Sequence, residues 1–403
     1  MTINWCRQGN PILPARVIVA VCRRIRSTRS FTQSGGVGPV AGGRGAAGSC
    51  WHDLETRRKG LVAVTTILEA IMNRCVAMPV VAILLVSLAV LSGCARPDIP
   101  AAGRNSLAYI AADSASGLRP GSEPVFLVNQ PEFAFNRIGS PQVVTTGDGR
   151  TDVAVDPGRP VIYSETFDFA TAVATYTNVV YRVHFAETPV DFFPFQLTAG
   201  KNVGLLVIIT CNRQGQPLLI TTLHTCGCYL AFVPTSYLGR AAYPEWWRQD
   251  HRQRVYGQSL PARLDFGGLD YQSMQVLVEL AGSSHRVRDI RLIAAAALAS
   301  LPLRHVPLQP LAALEAIAAG DGTTVSFFET SGARVGYVKH SRKIWERLLI
   351  SWWALDWRVG EDKRYRPETN AGPVFYTSLK PWARYESDLS NFSRFLGYWG
   401  WKL

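Results

Sequence analysis

The sequence predicts a β-rich α+β domain over residues 123–403, sandwich-like or built on an antiparallel sheet, with its helices toward the C-terminus. Three observations predict it. Runs of β-branched and aromatic residues, separated by turn formers, fill the chain from Pro124 onward. Apolar spacing of helical period appears mainly in the late segments. Finally, 47% hydrophobic and 18% charged residues over 403 positions are enough for a real core and too apolar for a disordered chain.

The strands follow in order. Val125–Val128, Gln142–Thr146 and Thr151–Val155 are short runs broken by Gly147-Asp148-Gly149 and similar turn residues. Val161–Phe169 and Ala172–Phe185 are longer. Val203–Thr210 and Pro217–His224 read as a hairpin whose arms are apolar enough to be buried on both faces. Gln272–Leu280, Val287–Ile293 and Thr323–Glu329 complete the set. Helices are expected from Pro244 through Tyr256, over Pro310–Ala319, and after Ser341 as a cap, with Trp345, Leu348, Leu349 and Trp352 at i, i+3, i+4 and i+7. Phe392, Phe395, Leu396 and Trp399 repeat that spacing. The bland reading of both stripes is that they dock on the sheet. The alternative is that the Trp-rich C-terminal third, with cations between its rings, meets a membrane interface or stacks on a sugar or peptide.

Charge and cysteine usage narrow the function. The formal charge is +12, but residues 1–71 hold ten Lys/Arg against three acids, whereas residues 94–403 hold 31 against 27. The near-balanced body gives no footprint for nucleic acid. Residues 72–94 place Arg74 before an apolar run from Val76 to Leu91, then small residues and a cysteine. The run has 16 residues, short of the roughly 20 that span a bilayer as a helix, and has the tripartite shape of a secretory signal.

The segment Leu91-Ser92-Gly93-Cys94 resembles the lipobox of bacterial lipoproteins. The resemblance covers residues 72–94 alone. It implies cleavage between Gly93 and Cys94, a diacylglyceryl group on the Cys94 sulfur, and an acylated amino terminus. The partner so implied is a lipid membrane of the bacterial cell envelope. Ala95, where an Asp would retain the protein at the inner membrane, leans toward the outer membrane with the domain facing the periplasm. A cysteine is required because the thiolate is the nucleophile that is alkylated, and two or three acyl chains hold firmly at about 0.8 kcal/mol per buried methylene. Residues 1–71 then read as a start placed too early, with Met72 the initiator. Their Arg- and Ser-rich, acid-poor composition also resembles an organellar transit peptide, which does not fit a lipobox downstream. Residues 94–122, small and Pro/Gly-punctuated, read as a lipidated tether.

Cleavage would leave Cys211, Cys226 and Cys228. In Thr222-Leu-His-Thr-Cys-Gly-Cys-Tyr229, His224, Cys226 and Cys228 share one face of an extended strand. Imidazole and thiolates together suit zinc or copper(I). On a flat strand the outer two lie roughly 13 Å apart, so convergence needs a bend, which is cheapest at Gly227. The candidate sources of a fourth ligand are His184 or another strand, and no spacing rule points to either. Three further readings stand beside the metal site: a redox dithiol closed between Cys226 and Cys228, a disulfide to Cys211 that the hairpin register disfavours, and buried thiols with a satisfied core histidine. Asp148, Asp152 and Asp156 lack the alternating oxygens of a calcium loop and read as turn formers. No Gly-x-Ser-x-Gly, His-Glu-x-x-His or phosphate-cradling loop occurs. The leading expectation is a noncatalytic binding or structural module, followed by a zinc or copper(I) binding protein, and then by an enzyme of unknown reaction.

Overall fold

A computed structural model describes residues 105–112, 123–191, 196–248, 251–268, 273–320, 322–367 and 372–403. The expectations for residues 1–71, for the signal-like run 72–93 and for Cys94 lie outside the described residues. In chain order the strands are β1 (Ser106–Ala111), β2 (Val125–Asn129), β3 (Ser140–Thr145), β4 (Thr151–Asp156), β5 (Ile162–Ala170), β6 (Thr175–Thr188), β7 (Gly200–Cys211), β8 (Pro217–His224), β9 (Ala231–Pro234), β10 (Gln253–Val255), β11 (Gln258–Leu260), β12 (Met274–Leu280), β13 (Val287–Ala294), β14 (Leu303–Val306), β15 (Leu308–Pro310), β16 (Ile317–Ala318) and β17 (Thr324–Val325). The helices are α1 (Ala295–Leu298), α2 (Ile344–Ala354) and α3 (Phe392–Tyr398). The class is β-rich α+β, with the two longer helices near the C-terminus.

Two larger sheets dominate. One runs β13-β12-β2-β1-β14 and the other β15-β5-β6-β7-β8-β9. They are mixed rather than purely antiparallel, because β1–β14, β2–β12 and β5–β15 pair in parallel. Both sheets contribute to one apolar cluster: Tyr109, Phe126, Val276, Val278 and Ile290 from the first meet Val179, Tyr181, Val183, Val207 and Ile220 from the second. Alternation explains the rest of β6 to β8. Residues of the opposite parity, such as Arg182, Thr221 and Leu223, are also buried, beneath chain from the last third. There Arg182 reaches Lys363 and Phe328, and Phe232 lies against Phe395 and Trp401.

Several local expectations are corrected. Residues 106–111, assigned to the tether, form β1, whose Leu-Ala-Tyr-Ile core pairs on both sides with β2 and β14. Residues 244–248 and 251–256 are not helical: Trp247 closes a turn on Pro244, donates its indole N–H to Ala262 O at 3.1 Å, and lies with its ring tilted against Trp401. The Pro310–Ala319 segment supplies only a 3-10 turn, Leu311–Glu315, which buries Leu311 and Leu314 before β16. The strand expected over Thr323–Glu329 shrinks to β17. Ser341 is not the cap of α2: Lys343 holds that position, and the Ser341 hydroxyl donates to Val338 O at 2.8 Å. On α3 the side chain of Asn391 accepts from Arg394 N, a true N-cap.

The stripe on α2 docks only in part: Trp345 and Leu349 pack half-buried against the core, and the other two residues turn outward. Leu348 is 60% and Trp352 70% exposed, whereas Glu346, Ile350, Ser351 and Ala354 are buried. Ile350 and Ala354 pack with Leu197 and Val359.

Candidate functional site

Strand β8 ends at His224, and the next four residues turn back on themselves. His224 N donates to Cys228 O at 2.9 Å and Gly227 N to His224 O at 2.8 Å. Gly227 sits at φ +91°, and a Cβ there would lie 2.2 Å from Tyr376 O, so both conformation and space demand glycine. This turn is the bend that a flat strand lacks. It brings one donor atom each from His224, Cys226 and Cys228 within 4.8 Å of one another.

The two sulfurs are joined as a disulfide, with Cα atoms 5.6 Å apart. A disulfide offers no thiolate, so the redox and metal readings describe two oxidation states of one site. Cys226 and His224 are buried and Cys228 is half-buried, which leaves Cys228 as the approachable sulfur. His224 Nε2 lies 3.0 Å from the carbonyl of His285. A carbonyl only accepts, so Nε2 carries the proton and Nδ1 keeps its lone pair. Burial holds the His224 pKa well below the ordinary histidine range, with Lys343 and Arg286 adding to the effect.

His184 does not join the cluster. Its Nε2 accepts from Arg182 Nε at 3.0 Å, and its ring packs edge-on against Tyr163 and Phe327. Cys211 is buried at the far end of β7 opposite Pro217 and carries no disulfide. The aspartates behave as backbone-binding turn and hairpin residues: Asp148 accepts from Arg150 N, Asp152 from Val153 N, and Asp156 from Gly158 N.

Behind the turn lies a buried ionic cluster that sequence spacing did not reveal. The Thr225 hydroxyl donates to Asp362 Oδ1, and Lys343 Nζ forms an ion pair with Asp362 Oδ2 at 3.1 Å. Lys363 Nζ donates to Cys226 O at 3.0 Å and to Glu361 O at 3.2 Å, and it sits 4.7 Å above the Tyr376 ring. Arg182 Nη1 donates to Lys363 O at 3.0 Å. Burial pulls the Lys363 pKa down to about 8. For Lys343 burial acts the same way, but Asp362 and Glu346 outweigh it and leave the ammonium above its ordinary value. These partners come from β6, from the turn after β8 and from residues 343–363. No local period in Glu361-Asp-Lys-Arg364 marks that segment as buried.

Chemically, the turn can hold a dithiol in exchange with a disulfide, or present nitrogen and two sulfurs to a soft or borderline metal once reduced. No family model, no curated protein and no solved structure matches this chain.

Proposed function

We propose that the chain is a lipid-anchored lipoprotein of the bacterial cell envelope, held at the outer membrane facing the periplasm, whose domain is a noncatalytic binding or structural module on a sandwich-like scaffold. The observation that carries this reading is the apolar run Val76–Leu91 entering Leu91-Ser92-Gly93-Cys94. An exposed aromatic surface supports it. Ile344, Leu348, Trp352 and Leu355 follow one outward stripe of α2, and Trp353, Trp357, Trp382 and Tyr385 are also exposed. Arg347 lies 4.6 Å above the Trp357 ring, and Arg384 bonds Ala354 O at the end of the helix. Rings beside cations suit the headgroup region. The twelve residue steps from Cys94 to Ser106 reach roughly 40 Å at full extension, so an acylated Cys94 would hold the start of the domain within that distance of a bilayer. Among the described residues, no helix is long and apolar enough to cross a membrane.

The test is Cys94→Ser, scored by membrane fractionation and by mass spectrometry of the amino-terminal peptide. The expected results are an acylated Cys94 in the parent and loss of most of the protein from the membrane fraction in the variant. An unmodified Cys94 would overturn the reading.

The turn at 224–228 favours a second reading, a centre for zinc or copper(I), because its three donors lie within 4.8 Å. Reduced protein is expected to hold one equivalent of zinc, and the His224→Ala, Cys226→Ala double variant none, by metal analysis alongside a thiol count. Metal-free reduced protein with unreactive thiols would dismiss it.

A further inference from the structure

The ionic cluster behind the cysteine turn contains one amine and one carboxyl held face to face, shut off from water. Lys343 Nζ lies 3.1 Å from Asp362 Oδ2, and the two side chains are 1% and 0% exposed. Beyond that contact neither atom has a hydrogen-bond partner among the described residues. An ammonium carries three donor protons, so this ion pair is poorly satisfied. Buried pairs recover their desolvation cost only when further hydrogen bonds serve both ends.

The fold pins both partners. Lys343 precedes α2, and its stem passes Gly200 at the start of β7, where a Cβ would come within 2.9 Å of Lys343 Cγ. Asp362 is fixed at three points. Its N–H donates to Ser341 Oγ at 3.1 Å, its carbonyl accepts from Val338 N at 2.8 Å, and its Oδ1 accepts from the Thr225 hydroxyl. Ser341 and Thr225 are themselves fully buried. Only Oδ2 is left to face the amine. Groups held in this way react as an intramolecular pair, with effective molarities on the order of 10⁵–10⁸ M in well-oriented cases.

We propose that Lys343 and Asp362 condense, with no outside reagent, into an intramolecular amide: an isopeptide cross-link between Nζ and Cγ. The ion pair first passes one proton from Nζ to Oδ2, which moves no net charge out of the cluster. The freed Nζ lone pair attacks Cγ, and the Thr225 hydroxyl stabilises the negative charge that gathers on Oδ1. The Cγ–Oδ2 bond then breaks. Of the three Nζ protons, one stays on the amide nitrogen and two leave with Oδ2 as water, so atoms and charge balance. Burial raises the pKa of Glu346, whose carboxyl feels both Lys343 and Asp362, so a proton-exchanging group stands within electrostatic reach. The bond closes residues 343–362, which include α2 and its exposed aromatic stripe, into a covalent loop. It stands independently of the lipid anchor and of the metal reading.

The test is a tryptic digest of the full chain, purified in detergent, then reduced and denatured, and read by mass spectrometry. Amide formation removes the cleavage site at Lys343. The expected species joins residues 343–347 to residues 359–363 and is lighter than their sum by one water. An unjoined chain instead gives residues 344–347 and 359–363 as separate peptides. Lys343→Arg keeps the positive charge but has no amine to condense, so the joined species should vanish. Thr225→Val should accumulate it about a hundredfold more slowly after synthesis, the loss of one oxyanion donor. The parent digest decides the matter by itself if either variant does not fold. Separate peptides in the parent, or a joined species that persists in Lys343→Arg, would overturn the proposal. An unchanged rate in Thr225→Val would overturn the part given to Thr225.

Discussion

Three histidines are buried as neutral rings, and each is fixed by a different neighbour. His285 stacks on Phe185 at 4.0 Å and bonds the carbonyl of Phe135, His224 bonds His285 O, and His184 accepts from Arg182. Burial pushes His285 down to about 4, and holds His184 and His224 well below the usual value. A histidine with a depressed folded pKa takes up its proton in the unfolded chain first. Stability is therefore complete above pH 6.5 and is lost as pH falls toward the folded pKa. At pH 5.5 each such ring contributes a loss on the order of 1 kcal/mol relative to neutral pH. Glu346 and Glu361, both raised by burial, offset part of it, since their protonation favours the folded chain. Urea midpoints at pH 7.5 and 5.5 should show a clear decrease, and a pH-independent midpoint would contradict these assignments. Sequence did mark His224 and the bend at Gly227. It could not say that His184 answers to Arg182, because that depends on which ring nitrogen faces which neighbour.

Helix α2 shows at the level of an element what pattern reading misses. Its apolar residues at 345, 348, 349 and 352 fit a docking stripe, yet the face turned inward carries Glu346 beside Ile350 and Ala354. Glu346 has the cations Lys343 and Lys363 nearby and closes against Gly360. A buried carboxylate is tolerable only with such company, and the company comes from outside the helix. Ile350→Ala should cost about 2–4 kcal/mol by equilibrium unfolding. Leu348→Ala should stay within about 0.5 kcal/mol, while weakening partition onto anionic lipid vesicles. Equal destabilisation by the two would mean that the outward face is packed after all. The same limit explains the segments at 244–256 and 310–319, where Trp247 on Trp401 and Leu314 in the core override a plausible helical period.

For the whole molecule, the strand runs, the all-buried hairpin of β7 and β8 and the late position of the longer helices were legible, because each rests on local alternation or periodicity. The sheet order was not. Pairs such as β1 with β14 and β2 with β12 join residues more than 140 positions apart, and no local signal encodes a partner at that distance. The ionic cluster shares this property, joining β6 to residues 343–363. The membrane reading also belongs to this scale, since acyl chain and aromatic surface would act together. If both contribute, Cys94→Ser should leave a residual, salt-sensitive membrane fraction that disappears when Trp352→Ala and Trp382→Ala are added. Quantitative fractionation at low and high salt checks this; a residual that survives all three changes would assign it elsewhere.

The place of β1 has a mechanical corollary. It lies inside its sheet, hydrogen-bonded to β2 on one side and β14 on the other. Any pull transmitted from upstream of Asn105 enters along the length of that strand. The two ladders then resist as a group in shear, rather than opening one rung at a time from an edge.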